Sequence, residues 1–279
     1  MVRRKLANAG AHLALTLLCL VWLAPFALLV LQSFRGESGG QVAYAIPKEW
    51  TLENYRFLLR DESGFLRWYA NTLTIALFCA AIQTVLVLSV AYAFSRLRFR
   101  GRRLMMNMVL VLGMFPGFLT MIVLYYLLKL LGLTQSGAVP GLILIYTASS
   151  GLGYYIAKGF FDTIPRALDE SARIDGANRF QVFWRIIMPL AKPIVIYTVL
   201  MAFMAPWGDY VFASYVAFGD PQGYNVAVGL YRWVNTTDYQ GYFTRFCAGG
   251  VLVALPVTAL FMALQRYYVE GVTGGAVKG

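Results

Sequence analysis

Residues 162–189 have the sequence DTIPRALDESARIDGANRFQVFWRIIMP. Pro165 suits the first turn of a helix, and Gly176 is a natural C-terminal stop where a left-handed residue is needed. Asn178 can cap the segment that follows, and Pro189 ends it. The stretch therefore predicts a short helix, a turn and a second short helix.

The first of these helices has the composition of a docking surface. Asp169 and Arg173 are four residues apart and can pair along its exposed face. Ala167, Ser171 and Ala172 are small, so the surface of another protein can approach closely. A short amphipathic helix of this kind fits a groove on a partner. It equally fits the headgroup layer of a membrane, and the residues alone leave both interpretations open.

The composition of the whole chain identifies the class of protein. Of its 279 residues, 59% are hydrophobic and 13% are charged, whereas soluble proteins have about 45–50% and about 25%. These values exclude a soluble enzyme, a disordered chain and a disulfide scaffold, and they leave a polytopic membrane protein. The three cysteines lie in apolar runs, which indicates buried hydrophobic residues rather than disulfides or a metal site.

Six apolar segments are long enough to cross a membrane, for which a helix needs about 20 residues. Such long runs favour helices over the alternating strands of a barrel. The predicted fold is therefore all-α, a membrane bundle of six transmembrane helices. The first segment is longer than the apolar region of a signal peptide, which favours a retained span. The predicted spans are 11–33, 70–94, 104–131, 139–160, 194–218 and 246–264.

The distribution of charge predicts the orientation of these spans. With the N-terminus inside, the cytoplasmic segments hold sixteen basic and five acidic residues, and the outer segments hold eight and seven. Short cytoplasmic loops collect lysine and arginine, so both termini are predicted to be cytoplasmic. Residues 1–10 and 267–279 are then tails of a transmembrane domain at 11–266. The basic residues flank spans instead of forming a stripe, which argues against nucleic-acid binding.

The loop at 162–189 resembles the EAA loop of bacterial ABC-importer permeases. That loop has the pattern Glu-Ala-Ala, three residues, Gly, nine residues, Ile, any residue, Leu-Pro. Five of its seven fixed positions match, and Ser171 and Met188 replace the other two with residues of similar size. The matching residues are Glu170, Ala172, Gly176, Ile186 and Pro189.

The resemblance extends over nearly the whole chain. The segment 46–55, IPKEWTLENY, is similar to the first external loop of carbohydrate-importer permeases. The tail at 265–279 and the sequence Trp207-Gly-Asp-Tyr210 resemble the MalG-like branch of that family. The tail is the part most specific to this branch.

The resemblance implies a MetI-like permease fold in the bacterial cytoplasmic membrane and the import of oligosaccharides of the maltodextrin or galacto-oligosaccharide type. It implies four kinds of partner: a second, MalF-like permease subunit, two copies of a cytoplasmic ATPase, an extracytoplasmic sugar-binding protein and the sugar itself. ATP and Mg would be bound by the ATPase, so this chain would be neither an enzyme nor a cofactor carrier. The residues implied to contact the ATPase are Glu170, Ser171, Ala172, Asp175, Gly176 and, in the tail, Lys278.

The sequence itself supports the absence of catalysis in this chain. It contains no glycine-rich loop that ends in Gly-Lys-Ser or Gly-Lys-Thr, the pattern that cradles nucleotide phosphates. The single histidine, His12, lies at the start of the first predicted span, which disfavours a histidine catalyst or metal cluster. The energy for transport is therefore expected from a partner.

Polar residues inside the predicted spans are candidates for the sugar path. A carboxylate within the bilayer is costly, so Asp209 is expected to face the bundle interior or a water-filled cavity. Asp209 can line the path with Trp207 and Tyr210, or it can have a structural role. Gln83 and Asn71 are weaker candidates, because amides commonly join membrane helices.

Two prolines predict breaks in the helices. Pro116 lies between two glycines in the third predicted span, and Pro206 lies in the fifth. Proline removes a helical hydrogen bond, so both spans are expected to kink or break.

Two other transport functions stay open at this level. One is an ABC permease for a different solute, such as glycerol phosphate or an acidic glycan. The other is a stand-alone secondary transporter, which predicts midplane ion sites and matching repeats in two halves. The sequence shows neither of these features, and a secondary transporter would leave the EAA-like loop unexplained.

Overall fold

The structure, a computed structural model, describes residues 2–37, 44–114, 117–236 and 239–276. Regular secondary structure in these ranges is helical, apart from one isolated bridge between Arg35 and Trp50. The helices are α1 Val2–Ser33, α2 Glu53–Leu58, α3 Phe65–Arg96, α4 Arg102–Gly113, α5 Gly117–Leu130, α6 Ala138–Ala148, α7 Gly151–Thr163, α8 Ala167–Ile174, α9 Arg179–Gln181, α10 Met188–Leu190, α11 Lys192–Gly208, α12 Val211–Ala217, α13 Val226–Val234 and α14 Tyr239–Ala276. Shorter 3₁₀ turns occur at Asp61–Ser63, Gln135–Gly137 and Pro221–Gly223, and a π turn occurs at Val182–Ile187.

Several of these helices are long and apolar enough to span a membrane. Within the described ranges there are four, and one bent pair, Arg179–Leu190 with Lys192–Gly208, would bring the number to five. The predicted third span is divided between α4 and α5, and Pro116 lies outside the described residues. The all-α prediction is confirmed, and the count of six stays a prediction. The four are Asn8–Ser33, Phe65–Arg96, Gln135–Thr163, which contains both α6 and α7, and Gly241–Gln265.

The chain forms two compact units, of which the first contains residues 2–66 and 229–255. In this unit the segment that follows α1 is anchored by Asn54. Its amide donates to the carbonyl oxygens of Ser33 and Arg35 at 3.0 and 2.9 Å. Its own oxygen accepts a hydrogen bond from Thr244 at 3.0 Å. Asn54 is buried, so these partners satisfy a side chain that would otherwise be costly to bury.

The second unit contains residues 67–228 and 256–276, and two of its apolar segments are broken. One break separates α6 from α7 at Ser149 and Ser150, and the other separates α11 from α12 at Asp209 and Tyr210. Pro206 lies inside α11, which ends two residues later, so the predicted break in this segment is confirmed.

Backbone groups released at the second break have side-chain partners. The Asn225 amide donates to the carbonyl oxygens of Pro206 and Asp209 at 3.2 and 2.7 Å. The Asp209 carboxylate accepts from the backbone N–H of Phe212 at 3.1 Å. Irregular backbone at membrane depth is tolerated only with such replacements for the missing helical hydrogen bonds.

Candidate functional site

The loop at 162–189 has the helix, turn and helix that its sequence predicts, but the two proline predictions are wrong. Pro165 lies before the N-cap of α8, and Pro189 lies inside α10 instead of ending the segment. Helix α8 ends at Ile174, and Gly176 follows with a left-handed φ of 85°. Asn178 then forms a capping box with Gln181: its side chain accepts from the Gln181 N–H at 2.9 Å, and its own N–H donates to the Gln181 side chain at 2.8 Å. Both turn predictions are confirmed.

Helix α8 has one buried and one exposed face. Of the five residues implied for contact with the ATPase in this loop, four are exposed: Glu170, Ser171, Asp175 and Gly176. Ala172 lies on the opposite face with 6% of its surface exposed. The sixth residue of the set, Lys278, lies outside the described residues.

The buried face of α8 packs on the ends of three long helices. Ala172 belongs to one apolar cluster with side chains from α3, α7, α11 and the π turn. Because such a core is close-packed, a displacement of α8 must move the helices beneath it. The cluster includes Leu88, Ala91, Tyr92, Ala157, Phe161, Ile164, Val182, Phe183, Ile187 and Ile194.

Asp169 also lies on the buried face, which corrects one prediction. Its carboxylate pairs with the guanidinium of Arg96, at the end of α3, at 2.9 Å. The predicted partner, Arg173, would require Asp169 to lie on the exposed face. Both members of the observed pair are almost fully buried, with 3% and 9% of their side chains exposed. The interaction therefore fixes α8 to α3.

Further polar contacts join the same end of α3 to the end of α7. The Ser95 hydroxyl donates to Asp162 at 2.6 Å, and Lys158 pairs with the other carboxylate oxygen at 2.5 Å. Arg96 donates to the carbonyl oxygen of Ile164 at 2.7 Å, and Arg166 donates to that of Ser95 at 3.3 Å. The loop is thus held by a network of contacts rather than by a single pair.

Three large apolar side chains stand out on the surface of this loop. The exposed fractions are 87% for Ile174, 69% for Phe180 and 48% for Trp184. None of the three belongs to the residues that the sequence predicts to be functional. The available signal was their position beside charged residues, in a loop that was already predicted to dock.

The contacts of Asp209 and Trp207 indicate that both residues have a structural role. The Tyr146 hydroxyl donates to one Asp209 carboxylate oxygen, and the other caps α12 through Phe212. Trp207 is 5% exposed, and its ring contacts those of Tyr69 and Phe203 at centroid distances of 5.3 and 5.9 Å.

The remaining path candidates are separated from one another. The Asn71 amide donates to the carbonyl oxygens of Gln222 and Tyr224, both at 2.9 Å, and so holds the turn before α13. Tyr210 is half-buried at the break between α11 and α12. Gln83 lines a cavity of about 270 Å³ beside the break between α6 and α7. Of the five candidates, Gln83 therefore has the surroundings of a ligand site.

The cavity beside Gln83 has a mostly apolar lining that also offers uncharged polar groups, and no lining residue is charged. Gln83 donates to the Ser150 hydroxyl at 2.7 Å. Thr198 donates to the carbonyl oxygen of Ile194 at 2.8 Å. Within the described residues, the Tyr197 hydroxyl has no hydrogen-bond partner, so it is available to a ligand. The lining consists of Gln83, Val87, Ser149, Ser150, Leu152, Gly153, Ile156, Tyr197, Thr198 and Met201.

These features define a class: an α-helical membrane protein in which the loop at 162–189 is packed on the long helices. Residues 85–274 match the family described as the binding-protein-dependent transport system inner membrane component. The chain belongs to this family of transport subunits, which are not themselves enzymes.

Two relatives from Bacillus subtilis (strain 168) match over nearly the full length of both chains. The maltodextrin transport system permease protein MdxG is 35% identical, over 99% of this chain and 98% of its own. The galactooligosaccharides transport system permease protein GanQ is also 35% identical, over 100% and 98%. This chain is therefore similar throughout to sugar-transport permeases.

A solved structure has the same fold. It is described as a bacterial ABC transporter involved in the import of the acidic polysaccharide alginate. The TM-score is 0.77 at 23% identity, and the match covers 95% of this chain and 97% of the other. The permease fold that the sequence analysis predicted is confirmed.

The buried Arg96–Asp169 pair generates a stability prediction. Arg96→Ala leaves the Asp169 carboxylate buried without a counter-ion, which is expected to destabilise the protein by about 3–5 kcal/mol. Lys158→Met is the matched control, because its pair with Asp162 is 20% and 41% exposed and is expected to contribute about 0–1 kcal/mol. The measurement is the thermal unfolding midpoint of the purified protein in mild detergent.

The apolar double variant Arg96→Met, Asp169→Leu shows whether the loss of stability comes from the unpaired charge or from the changed packing. It removes both charges together and should recover most of the loss. Equal midpoints for Arg96→Ala and Lys158→Met would contradict the importance of the buried pair.

Proposed function

We propose that this chain is the membrane subunit of an ABC importer for oligosaccharides of the maltodextrin or galacto-oligosaccharide type. The proposal is supported by similarity to MdxG and GanQ along the whole chain. The observation that carries it is the loop at 162–189 (the docking loop), whose inner face is packed on α3, α7 and α11 while its outer face is exposed.

The exposed face of α8 is proposed to contact a cytoplasmic ATPase, which would bind ATP and Mg in this chain's place. Glu170 and Asp175 offer carboxylates, and Ile174 offers an apolar side chain that is costly to leave in water. Closure of an ATPase dimer would push this face, and the packed inner face would pass the displacement to the spans. Ala172 would then act through packing rather than through direct contact.

The proposed assembly contains a second, MalF-like permease subunit, two ATPase copies and an extracytoplasmic sugar-binding protein. A binding protein agrees with the description of the family, in which transport depends on one. Both termini are proposed to lie in the cytoplasm on the evidence of the charge distribution. The tail from about residue 271, with Lys278, is proposed to reach between the ATPase copies.

The cavity beside Gln83 is proposed to lie on the sugar path. The amide oxygen of Gln83 and the hydroxyl groups of Ser149 and Tyr197 suit the hydroxyl groups of a neutral sugar. Lysine and arginine are missing from the lining, although an acidic glycan or glycerol phosphate would need a positive partner. This observation favours a neutral sugar over the other solutes, even though the chain shares its fold with an alginate importer.

Purification from the native membrane in mild detergent tests the proposed assembly. We expect an ATPase and a second, related permease to co-purify, and the reconstituted complex to take up maltodextrin or galacto-oligosaccharide only with ATP and a binding protein. Uptake by this chain alone, driven by an ion gradient, would replace the proposal with a secondary transporter.

Substitutions on the exposed face of α8 test the coupling role. Glu170→Lys and Gly176→Asp are expected to leave membrane insertion intact and to reduce uptake per ATP hydrolysed at least tenfold, about 1.4 kcal/mol. A Cβ on Gly176 would meet no atom of this chain within 4 Å. If Gly176→Asp reduces coupling by more than the strain of a positive φ explains, the extra loss therefore indicates contact with a partner.

Two matched controls accompany these variants. Gly176→Asn adds a side chain of nearly the same size without charge, and asparagine tolerates the left-handed conformation. Glu62→Lys makes the same charge reversal at an exposed residue outside the loop. Normal coupling in both loop variants, or equal losses in the controls, would contradict the assignment.

Substitutions in the cavity test the sugar path. Gln83→Leu removes the amide oxygen offered to the sugar together with the bond to Ser150, and Tyr197→Phe removes a hydroxyl group. Each is expected to raise the KM for sugar about two- to tenfold, as for one lost hydrogen bond to the ligand. Thr198→Val is the control, because the Thr198 hydroxyl lines the same cavity but already bonds to Ile194. Transport assays of the reconstituted complex give the KM values. Unchanged KM in Gln83→Leu and Tyr197→Phe would remove this cavity from the path.

A further inference from the structure

A dense cluster of arginines lies at the turn between α3 and α4. Residues 97–104 have the sequence LRFRGRRL, with four arginines and no acidic residue. Gly101, with a left-handed φ of 84°, reverses the chain here and brings Arg98 to the same side as Arg102 and Arg103. Together they surround a cavity of about 450 Å³, lined by Arg98, Phe99, Gly101, Arg102, Arg103 and Leu104.

The positive charge in this cavity is balanced only in part, because Asp162 interacts with Arg102 from beyond ion-pair distance. In the described ranges, none of the three lining arginines lies within ion-pair distance of an acidic side chain. Arg102 donates to the carbonyl oxygen of Leu97 at 3.4 Å, a long contact with a neutral group. The neighbouring Arg96 differs, because Asp169 neutralises it. Three like charges around one cavity repel one another, so a bound anion would be strongly stabilised.

An exposed apolar stripe begins at the same cavity. Leu104 lines the cavity, and it is followed on one face of α4 by Met105, Met108, Val111 and Leu112. These positions repeat with helical spacing, and 49–65% of each side chain is exposed. A basic cavity joined to an apolar stripe matches an amphiphile with an anionic head and hydrocarbon chains.

We propose that this cavity binds the phosphate group of an anionic phospholipid, with the acyl chains along the α4 stripe. Guanidinium groups bind phosphate oxygens in a bidentate manner, which suits arginine here better than lysine would. A free phosphate would not need the stripe, and an acidic side chain of a protein partner would not need it either. The proposal rests on the proposed function only for the placement of this turn at the cytoplasmic leaflet.

The test uses the purified complex reconstituted into phosphatidylcholine vesicles that contain spin-labelled phosphatidylglycerol or spin-labelled phosphatidylcholine. The immobilised fraction of each label reports the lipid bound to the protein. We expect phosphatidylglycerol to be enriched, and Arg98→Gln and Arg103→Gln each to weaken its binding about fivefold, as for the loss of one basic residue near a membrane surface. Arg100→Gln is the matched control, because Arg100 is exposed in the same turn but does not line the cavity.

Four outcomes would overturn the proposal. Equal immobilisation of the two lipids would exclude a selective site. An equal loss in Arg100→Gln and Arg98→Gln would indicate diffuse attraction by the whole turn. Displacement of the phosphatidylglycerol label by inorganic phosphate, or loss of the co-purifying ATPase in Arg98→Gln with unchanged lipid binding, would assign the cavity to a free anion or to a protein partner. Failure of the unmodified chain to co-purify with an ATPase would instead contradict the proposed function and leave lipid selectivity to be judged separately.

Discussion

The ion pair between Arg96 and Asp169 is the interaction on which the position of the docking loop depends. Both charges are removed from water, and each alone would be costly to bury, so the two groups must stay together. Arg96 ends α3, and Asp169 lies on the inner face of α8. The apolar cluster around Ala172 and the contacts of Asp162 with Ser95 and Lys158 hold the surrounding backbone. The loop is therefore a part of the membrane domain rather than a mobile connection between spans.

The two faces of α8 have different physical roles as a result. On the inner face, Asp169 forms an ion pair with Arg96, and the apolar side chains pack within the chain. On the outer face, Ile174 is almost fully exposed, and Phe180 and Trp184 continue an apolar surface along the loop. A group of large apolar side chains exposed to water is typical of a surface that binds another protein. The proposed ATPase contact assigns a partner to this surface, and the rigid inner face explains how the contact can have an effect inside the membrane.

The turns and caps of this site could be predicted from the sequence, whereas the contacts between residues distant in the chain could not. Gly176 and Asn178 act through their own backbone and near neighbours, so their turn and capping roles follow from residue type alone. The inward orientation of Asp169 depends on Arg96, which is distant in the chain, and the local spacing pointed to Arg173 instead. The structural role of Asp209 depends in the same way on Tyr146, which is 63 residues away. Hydropathy predicts apolar segments but does not show where they break, because the serines between α6 and α7 interrupt a helix without ending the apolar run.

The same three helices that support the docking loop also line the cavity proposed for the sugar. In α11, Ile194 belongs to the apolar cluster beneath α8, and Thr198 lines the cavity one helical turn later. In α3, Val87 contributes to both, and Gln83 lies one turn further along. In α7, Ala157 packs in the cluster while Gly153 lines the cavity. A helical turn transmits displacement along its axis because its hydrogen bonds resist stretching. We expect a movement of α8 to reach the polar groups of the cavity through these three helices at once, because each of them contributes side chains to both places.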